Sequence, residues 1–144
     1  MVTLRKITEE NFFQVMKLSV EDSQKNFVAT NLWSLAQAWL SYETARPFAI
    51  YAEDTLVGFF MADVKPEEPF FMIWRFMIDK AFQGKGYGRA ALLLAIDYLR
   101  NEGAKEIFLS YEPENAVAAK LYASVGFVLT GEVDEGELVA KLTL

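Results

Sequence analysis

The sequence predicts one α/β domain, a layered fold in which about four helices flank a mixed, mostly antiparallel sheet of about seven strands. Short apolar runs bounded by turn residues alternate with stretches of helical periodicity. A nearly unbroken apolar run at residues 70–78 leads through a glycine-rich turn into a strong helix pattern. With 144 residues, 53% of them hydrophobic, the chain can fill one core but not two. We therefore expect residues 1–144 to form a single domain.

The N-terminal half is predicted to contain two helices and three strands. Thr8, followed by Glu9 and Glu10, has the pattern of a helix start with acidic residues in the first turn. Pro47 disfavours helical backbone at the residue before it and should end the second helix. In chain order the predicted elements are a strand at 2–7, a helix at 8–18, a loop at 20–30, a helix at 31–43, and a hairpin of strands at 48–52 and 56–62.

The C-terminal half is predicted to alternate strands with helices before a last hairpin. The apolar run at residues 70–78 is typical of a strand that is covered on both faces. Gly103 and Gly126 are placed to end helices, and Asn115 to begin one. The predicted elements are strands at 70–78 and 106–111, helices at 90–100 and 115–125, and hairpin strands at 127–130 and 137–142.

The composition restricts the chemistry that is available. The sequence has no cysteine and no histidine, which excludes disulfides, thiolate nucleophiles, serine–histidine triads and nearly all zinc or transition-metal sites, so no metal is predicted. Its net charge of −6 argues against nucleic acid and suits a cationic partner. No apolar run is long enough to span a membrane, and the N-terminus lacks a signal-peptide core. We expect a soluble, cytoplasmic protein with no membrane partner, and a homodimer is one assembly to consider.

The turn at residues 83–89 has the features of a phosphate-binding loop. Alternate glycines at Gly84, Gly86 and Gly88 let the backbone approach an anion closely, and the first amides of the next helix point toward it. Lys85 and Arg89 add positive charge. The pattern predicts a ligand that carries a pyrophosphate.

Two other phosphate motifs were weighed against this turn. A Walker A loop is excluded, because Arg89 stands where that motif requires its second glycine, five residues after Gly84. A dinucleotide motif, Gly-x-Gly-x-x-Ala, is satisfied by residues 86–91, with Glu106 or Glu112 roughly 20 residues further on. Its position past mid-chain leaves little room for a substrate domain. A dinucleotide-binding redox module is therefore the alternative hypothesis.

Two motifs resemble those of a known family. Residues 83–88 have the form Gln/Arg-x-x-Gly-x-Gly/Ala at a helix start. Residues 115–122 follow Asn-x-x-Ala-x-x-Leu-Tyr, with Gly-Phe at 126–127. By motif order and spacing, the chain resembles the GNAT acetyltransferases over essentially its whole length. It looks most like the bacterial spermine/spermidine or diamine acetyltransferase branch, on residues 74–79, 109–110 and 131–132.

The resemblance implies a GNAT-like fold with acetyl-CoA as cosubstrate. The backbone of the central strand would pair with the pantetheine arm, the glycine turn would hold the pyrophosphate, and the Met77 N–H would polarise the thioester carbonyl. Asn115 would contact the cofactor, although capping its helix also explains it. The implied cofactor-binding residues are Phe76, Met77, Ile78, Gln83, Gly84, Lys85, Gly86, Tyr87, Gly88, Arg89 and Asn115.

The same resemblance implies that Tyr122 assists the departing thiolate. Its phenol, with an ordinary pKa of about 10, could donate to a thiolate whose conjugate acid has a pKa of about 8.5. Tyr122 also lies in an apolar helical stripe, so core packing is the alternative. Transfer would be direct, because no cysteine is present to carry the acetyl group.

The acceptor and the general base are less clearly marked. The expected acceptor is a primary amine of a polyamine or diamine, with a protein N-terminus or another small amine as the alternative. Glu21, Asp22, Trp74 and Glu112 are candidate acceptor-binding residues, with solvated surface charge or core packing as the competing role of each. The strand at residues 70–78 contains no carboxylate, so the proton must leave through water or a carboxylate elsewhere.

Overall fold

The computed structural model describes residues 1–144 as one seven-stranded sheet in the order β1-β2-β3-β4-β5-β7-β6, with helices on both faces. The predicted number of strands and helices is confirmed. The elements are β1 (Val2–Lys6), α1 (Phe12–Lys17), α2 (Asn31–Leu40), β2 (Ala45–Ala52), β3 (Thr55–Lys65), β4 (Phe70–Ile78), α3 (Tyr87–Asn101), β5 (Glu106–Tyr111), α4 (Ala116–Ser124), β6 (Val128–Asp134) and β7 (Glu137–Thr143). No helix is long and apolar enough to cross a membrane.

The sheet is antiparallel at every neighbouring pair except β4 and β5. That parallel pair is joined at a single position, Met72 opposite Phe108. A dinucleotide-binding domain would instead place its glycine motif after the first strand of a parallel sheet. Here the motif follows the fourth strand of a mostly antiparallel sheet, so the dinucleotide-binding alternative is wrong for this fold.

The core has two parts, one on each face of the sheet. One face packs against α3 through fully buried residues such as Leu92 and Leu99. The other face packs against α1 and α2, with Phe59 and Met61 fully buried there. Because both faces are covered, β3 and β4 need apolar residues at nearly every position. This explains the unbroken apolar run that the sequence shows.

A β-bulge in β4 changes which side chains face which layer. Arg75 pairs with Met61 and Ile73 pairs with the next residue of β3, which leaves Trp74 as an extra residue. Before the bulge Phe71 and Ile73 face the α3 layer, whereas after it the residues facing that layer are Phe76 and Ile78. The bulge therefore shifts by one residue the alternation of side chains between the two faces of the sheet, just before β4 ends.

Proline 47 does not end a helix as the sequence analysis expected. Helix α2 ends at Leu40, and Pro47 lies inside β2. The pairing of β1 with β2 reaches only Phe48, so the nitrogen of Pro47 lies beyond the end of β1. The proline is tolerated in the strand because no ladder hydrogen bond is lost there.

Glycine 58 allows β3 to approach the end of β4. A methyl group on Gly58 would lie 2.4 Å from the Met77 carbonyl oxygen and 2.9 Å from Cδ1 of Ile78. The closer neighbour is backbone and cannot move away by changing rotamer. Only glycine therefore fits opposite Ile78 in the observed register.

We expect Gly58→Ala to destabilise the fold by about 1–3 kcal/mol, because the added methyl overlaps a main-chain oxygen in a packed sheet. Equilibrium urea unfolding of the variant and the parent chain measures this difference. A variant within about 0.5 kcal/mol of the parent, the range of an ordinary surface substitution, would contradict the close approach.

Candidate active site

The separation of β4 from β5 opens a cleft of about 630 Å³ in the middle of the sheet. Beyond Met72 the two strands exchange no further ladder pairs. The cleft is lined by seven parts of the chain: β4 residues 72–78, the end of β5, Gln37 of α2, the loop at 20–29, the glycine turn, α4 with its cap, and the β6–β7 hairpin. It brings together most of the predicted cofactor residues.

The main chain at the end of β4 has a defined orientation. The Asp79 N–H donates to the Val57 carbonyl at 2.8 Å, so by strand alternation the peptide groups of Met77 also face β3. The 2.4 Å approach of a Gly58 methyl to the Met77 oxygen agrees with this orientation. The peptide N–H and C=O groups of Phe76 and Ile78 therefore face the cleft.

This orientation corrects one expectation of the sequence analysis. The Met77 N–H points into the sheet and is not available to polarise a bound carbonyl. Its side chain is also buried, in the core beneath α1 and α2. The N–H groups that face the cleft belong to Phe76 and Ile78. The sequence could not reveal this phase, because it depends on the bulge at Trp74.

The glycine turn has the geometry of an anion site. Gly84 and Gly86 have φ angles of 78° and 84°, in the left-handed region that favours glycine. Gly86 is the N-cap of α3 and offers no side chain, so the first amides of the helix are free to bind a ligand. Arg89 lines the cleft beside them. Of the predicted residues, Lys85 and Tyr87 do not line it.

Gln83 connects the turn to two other walls of the cleft. Its Nε2 donates to the Ile78 carbonyl at 2.9 Å and to Oε1 of Gln24 at 3.0 Å. The first bond fixes the turn to the end of β4. The second fixes it to the loop at residues 20–29, which forms an adjoining wall.

Tyr122 lies in α4 and lines the cleft. Its ring centroid is 5.7 Å from that of Tyr111 and 6.0 Å from that of Phe127, so the ring also packs in the protein. Burial raises the pKa of Tyr122, and the negative charge of Glu137 adds to the effect. The phenol therefore stays protonated through the neutral range. Asn115 also has two roles. Its Oδ1 accepts a hydrogen bond from the Ala118 N–H at 3.2 Å and so caps α4, and the residue lines the cleft.

Three of the four predicted acceptor residues lie outside the cleft. Glu21 caps a short 3₁₀ turn, and Asp22 is exposed in an ion pair with Lys25 at 2.8 Å, whose hydrogen bond and charge lower the pKa of Asp22. Glu112 also does not line the cleft, whereas Trp74 does. The expectation for Glu21, Asp22 and Glu112 as acceptor ligands is therefore not supported.

The acidic groups that do line the cleft come from the β6–β7 hairpin. Asp134, Glu135 and Glu137 all contribute to its wall. Sequence reasoning missed them because they lie seven to ten residues beyond the Gly-Phe pair that ends the second motif. The cluster of acids at residues 132–137 was visible. What was not visible is that β7 inserts between β5 and β6 and so brings the hairpin to the cleft.

Arg75 was also missed. Its guanidinium is half-buried, with Nη2 donating to Oε1 of Gln37 at 2.6 Å and Nη1 to the Trp74 carbonyl at 3.0 Å. Burial lowers the pKa of Arg75, and the charge of Glu137 acts in the opposite direction. The cleft thus holds a second cation besides Arg89, hydrogen-bonded to neutral partners, together with the acidic residues of the hairpin.

The sequence is similar to those of known acetyltransferases. The model of the Acetyltransferase (GNAT) family matches residues 9–127. The chain is 32% identical to a probable spermine N(1)-acetyltransferase of Bacillus subtilis subsp. natto over 146 residues, 96% of this chain and 95% of that protein. The spermine/spermidine N(1)-acetyltransferase of Bacillus subtilis strain 168 matches with the same identity and coverage.

A solved structure shares the fold. Spermidine N-acetyltransferase from Vibrio cholerae, in complex with CoA and spermine, superposes with a TM-score of 0.77 at 21% identity, covering 97% of this chain and 92% of that one. Fold, cleft and family match together define an acetyltransferase. The chain belongs to the GNAT family, as the two sequence motifs predicted.

We expect Gln83→Ala to loosen the loop at residues 20–29, because it removes both hydrogen bonds that hold the glycine turn. Hydrogen exchange followed by mass spectrometry should show faster exchange across that loop and at the end of β4. Gln24→Ala is the comparison variant: it removes the bond to Gln83 and the bond from the Glu21 N–H within the loop, and should leave the end of β4 unchanged. Unaltered exchange in both variants would show that the bridge does not hold these walls together.

Proposed function

We propose that residues 1–144 act as a single-domain N-acetyltransferase that moves the acetyl group of acetyl-CoA directly to a primary amine of a polyamine or diamine. The observation that carries the proposal is the separation of β4 from β5 after Met72 and Phe108. Both the anion-binding turn and the protonated Tyr122 line this opening. A thioester could therefore lie between a phosphate-binding turn and a proton donor.

The residues present fit acetyl-CoA. The left-handed glycines and free amides at the start of α3 suit a pyrophosphate, and Arg89 adds charge at the cleft wall. The main chains of Phe76 and Ile78 face the cleft and can pair with an extended amide-containing arm, in the manner of an added strand. When bound, acetyl-CoA supplies the acetyl group in activated form, as a thioester.

The full set of cofactor-binding residues that we propose omits Met77, whose peptide faces β3. Lys85 and Tyr87 are proposed only as supports of the turn, since neither lines the cleft. Direct contacts are assigned to Phe76, Ile78, Gln83, Gly84, Gly86, Gly88, Arg89 and Asn115.

Tyr122 is proposed to donate a hydrogen bond, and finally a proton, to the thiolate that departs. Its raised pKa keeps the phenol neutral throughout the pH range in which amines are acetylated. A phenol that holds its proton this strongly stabilises a thiolate mainly through the hydrogen bond. Tyr122 lines the same cleft as the glycine turn, which suits this role.

A cationic acceptor is supported by the charge of the hairpin and by the relatives. Asp134, Glu135 and Glu137 concentrate negative charge at the cleft wall, which attracts a polycation. Trp74 adds an aromatic face that can contact a cation. Two relatives that match almost the full chain carry the names of spermine acetyltransferases.

Isothermal titration calorimetry with acetyl-CoA, followed by steady-state assays, tests the proposed function. We expect acetyl-CoA to bind and NAD not to, and spermidine, spermine or a short diamine to be the best acceptor. The thiol product can be measured without background, because the chain has no cysteine. No binding at millimolar acetyl-CoA would overturn the proposal. A peptide N-terminus preferred by tenfold or more in kcat/KM, about 1.4 kcal/mol, would overturn the acceptor assignment.

We expect Tyr122→Phe to lower kcat by about 10²-fold, about 2.7 kcal/mol, because only the hydroxyl is removed and the packed ring is kept. Binding of acetyl-CoA should change little, and stability should change by about 1 kcal/mol or less. Tyr98→Phe is the matched control, since Tyr98 bonds Glu102 at 2.9 Å on α3 and does not line the cleft. An unaltered kcat, with chemistry rate-limiting, would assign Tyr122 to packing alone.

A further inference from the structure

Glu137 is the one acid of the cleft that is held in place by a side chain of another strand. It is the first residue of β7 and is half-buried. Its Oε1 accepts a hydrogen bond from Oγ of Ser110, on β5, at 3.0 Å. Asp134 and Glu135 are exposed at the tip of the hairpin. Only Glu137 therefore presents its carboxylate to the cleft in a fixed orientation.

The charged and titratable groups around Glu137 place it beside the reacting centre. Its charge acts on Tyr122 of α4 and on Arg75 of β4. Ser110 contacts it from β5, where Tyr111 packs against Tyr122. Its own hairpin adds Asp134 and Glu135 to the same wall. Glu137 thus lines the same cleft as Tyr122, the proposed proton donor, and Arg75, the cation of β4.

The proposed reaction requires a proton acceptor that β4 does not provide. A primary ammonium group with a pKa near 10.4 is free amine in only about one molecule in 2,500 at pH 7. No residue of β4 carries a carboxylate. A carboxylate held at the acceptor side of the cleft would remove this barrier by accepting the proton.

We infer that Glu137, held by Ser110, is the general base that deprotonates the acceptor ammonium group. The inference rests on the proposed function and extends it to the proton path. Arg75 lines the same cleft as Glu137. Ser110 is a positioning residue, since it acts through Glu137.

The protons and electrons balance along this path. The ammonium group transfers one proton to Glu137, and the nitrogen lone pair forms a C–N bond to the acetyl carbon. The C–S bond breaks and its electron pair leaves on sulfur. Tyr122 donates its proton to sulfur and is reprotonated by the second proton released from nitrogen. Glu137 then returns its proton to water, so one proton is released for each acetyl transfer.

The test is the pH dependence of Glu137→Gln, a nearly isosteric change that removes the base. With the best polyamine or diamine, we expect kcat at pH 7 to fall by about 10²-fold or more. The variant can use only free amine, so its kcat/KM should rise about tenfold per pH unit from pH 7 to 9, more steeply than that of the parent. Calorimetry with acetyl-CoA confirms that the variant is folded and binds.

An acceptor that is already unprotonated gives a second measurement. With an arylamine or alkoxyamine whose conjugate acid has a pKa well below 7, the loss in Glu137→Gln should disappear. Glu135→Gln removes the same charge from the same wall and should raise KM for a cationic amine without steepening the pH profile. Ser110→Ala should show a smaller loss of kcat in the same direction as Glu137→Gln.

Two results would overturn the inference. One is that Glu137→Gln leaves kcat unchanged and raises KM by the same factor at every pH. That result would mean that Glu137 only attracts the cationic amine and does not accept its proton. The other is an equal loss with amines of high and low pKa. Either result can be obtained only if the parent protein acetylates a polyamine or diamine. A wrong assignment of the general base is therefore distinguishable from a wrong proposed function.

Discussion

The site depends on one missing set of hydrogen bonds. β4 and β5 are neighbours in the sheet, yet they pair at a single position and then separate. Every other neighbouring pair in the sheet is joined over four or more positions. Unpaired main-chain groups at the middle of a sheet are costly unless water or a ligand satisfies them. The cleft therefore offers main-chain groups that the strands hold rigidly and that the neighbouring strand leaves unpaired, with the Ile78 carbonyl bonded to Gln83 instead.

The bulge at Trp74 makes this arrangement compatible with a packed core. In a regular β4 the side chains of Phe76 and Ile78 would lie on the face opposite to those of Phe71 and Ile73, toward α1 and α2. The extra residue resets the phase. Phe76 and Ile78 then bury their side chains against α3 while their peptide groups face the cleft. Packing and ligand binding are thus assigned to different atoms of the same residues.

Local features of the site could be predicted from the sequence. The left-handed glycines, the helix that follows them and the Asn115 cap each depend on residues close together in the chain. The place of Tyr122 at the cleft could be predicted for a similar reason, since its motif lies within one short helix. The seven strands were also predicted, because their apolar runs are separated by clear turn residues.

Features set by long-range pairing could not be predicted in this way. The orientation of Met77 depends on a bulge two to three residues earlier, which only the partner strand reveals. Glu137 joins the site because β7 inserts beside β5, a topology that no local pattern encodes. Glu21 and Asp22 were predicted from charge alone, and charge does not distinguish a helix cap or a surface ion pair from a ligand.

The bridge between Gln83 and Gln24 has a thermodynamic consequence for the two halves of the cleft. It joins the anion-binding turn to the loop that walls the other side. Any ligand that stabilises the turn in this conformation also lowers the free energy needed to order the loop. By linkage, a molecule bound under the loop must strengthen binding at the turn by the same factor. Two walls that are separated by almost 60 residues of chain therefore respond as one unit.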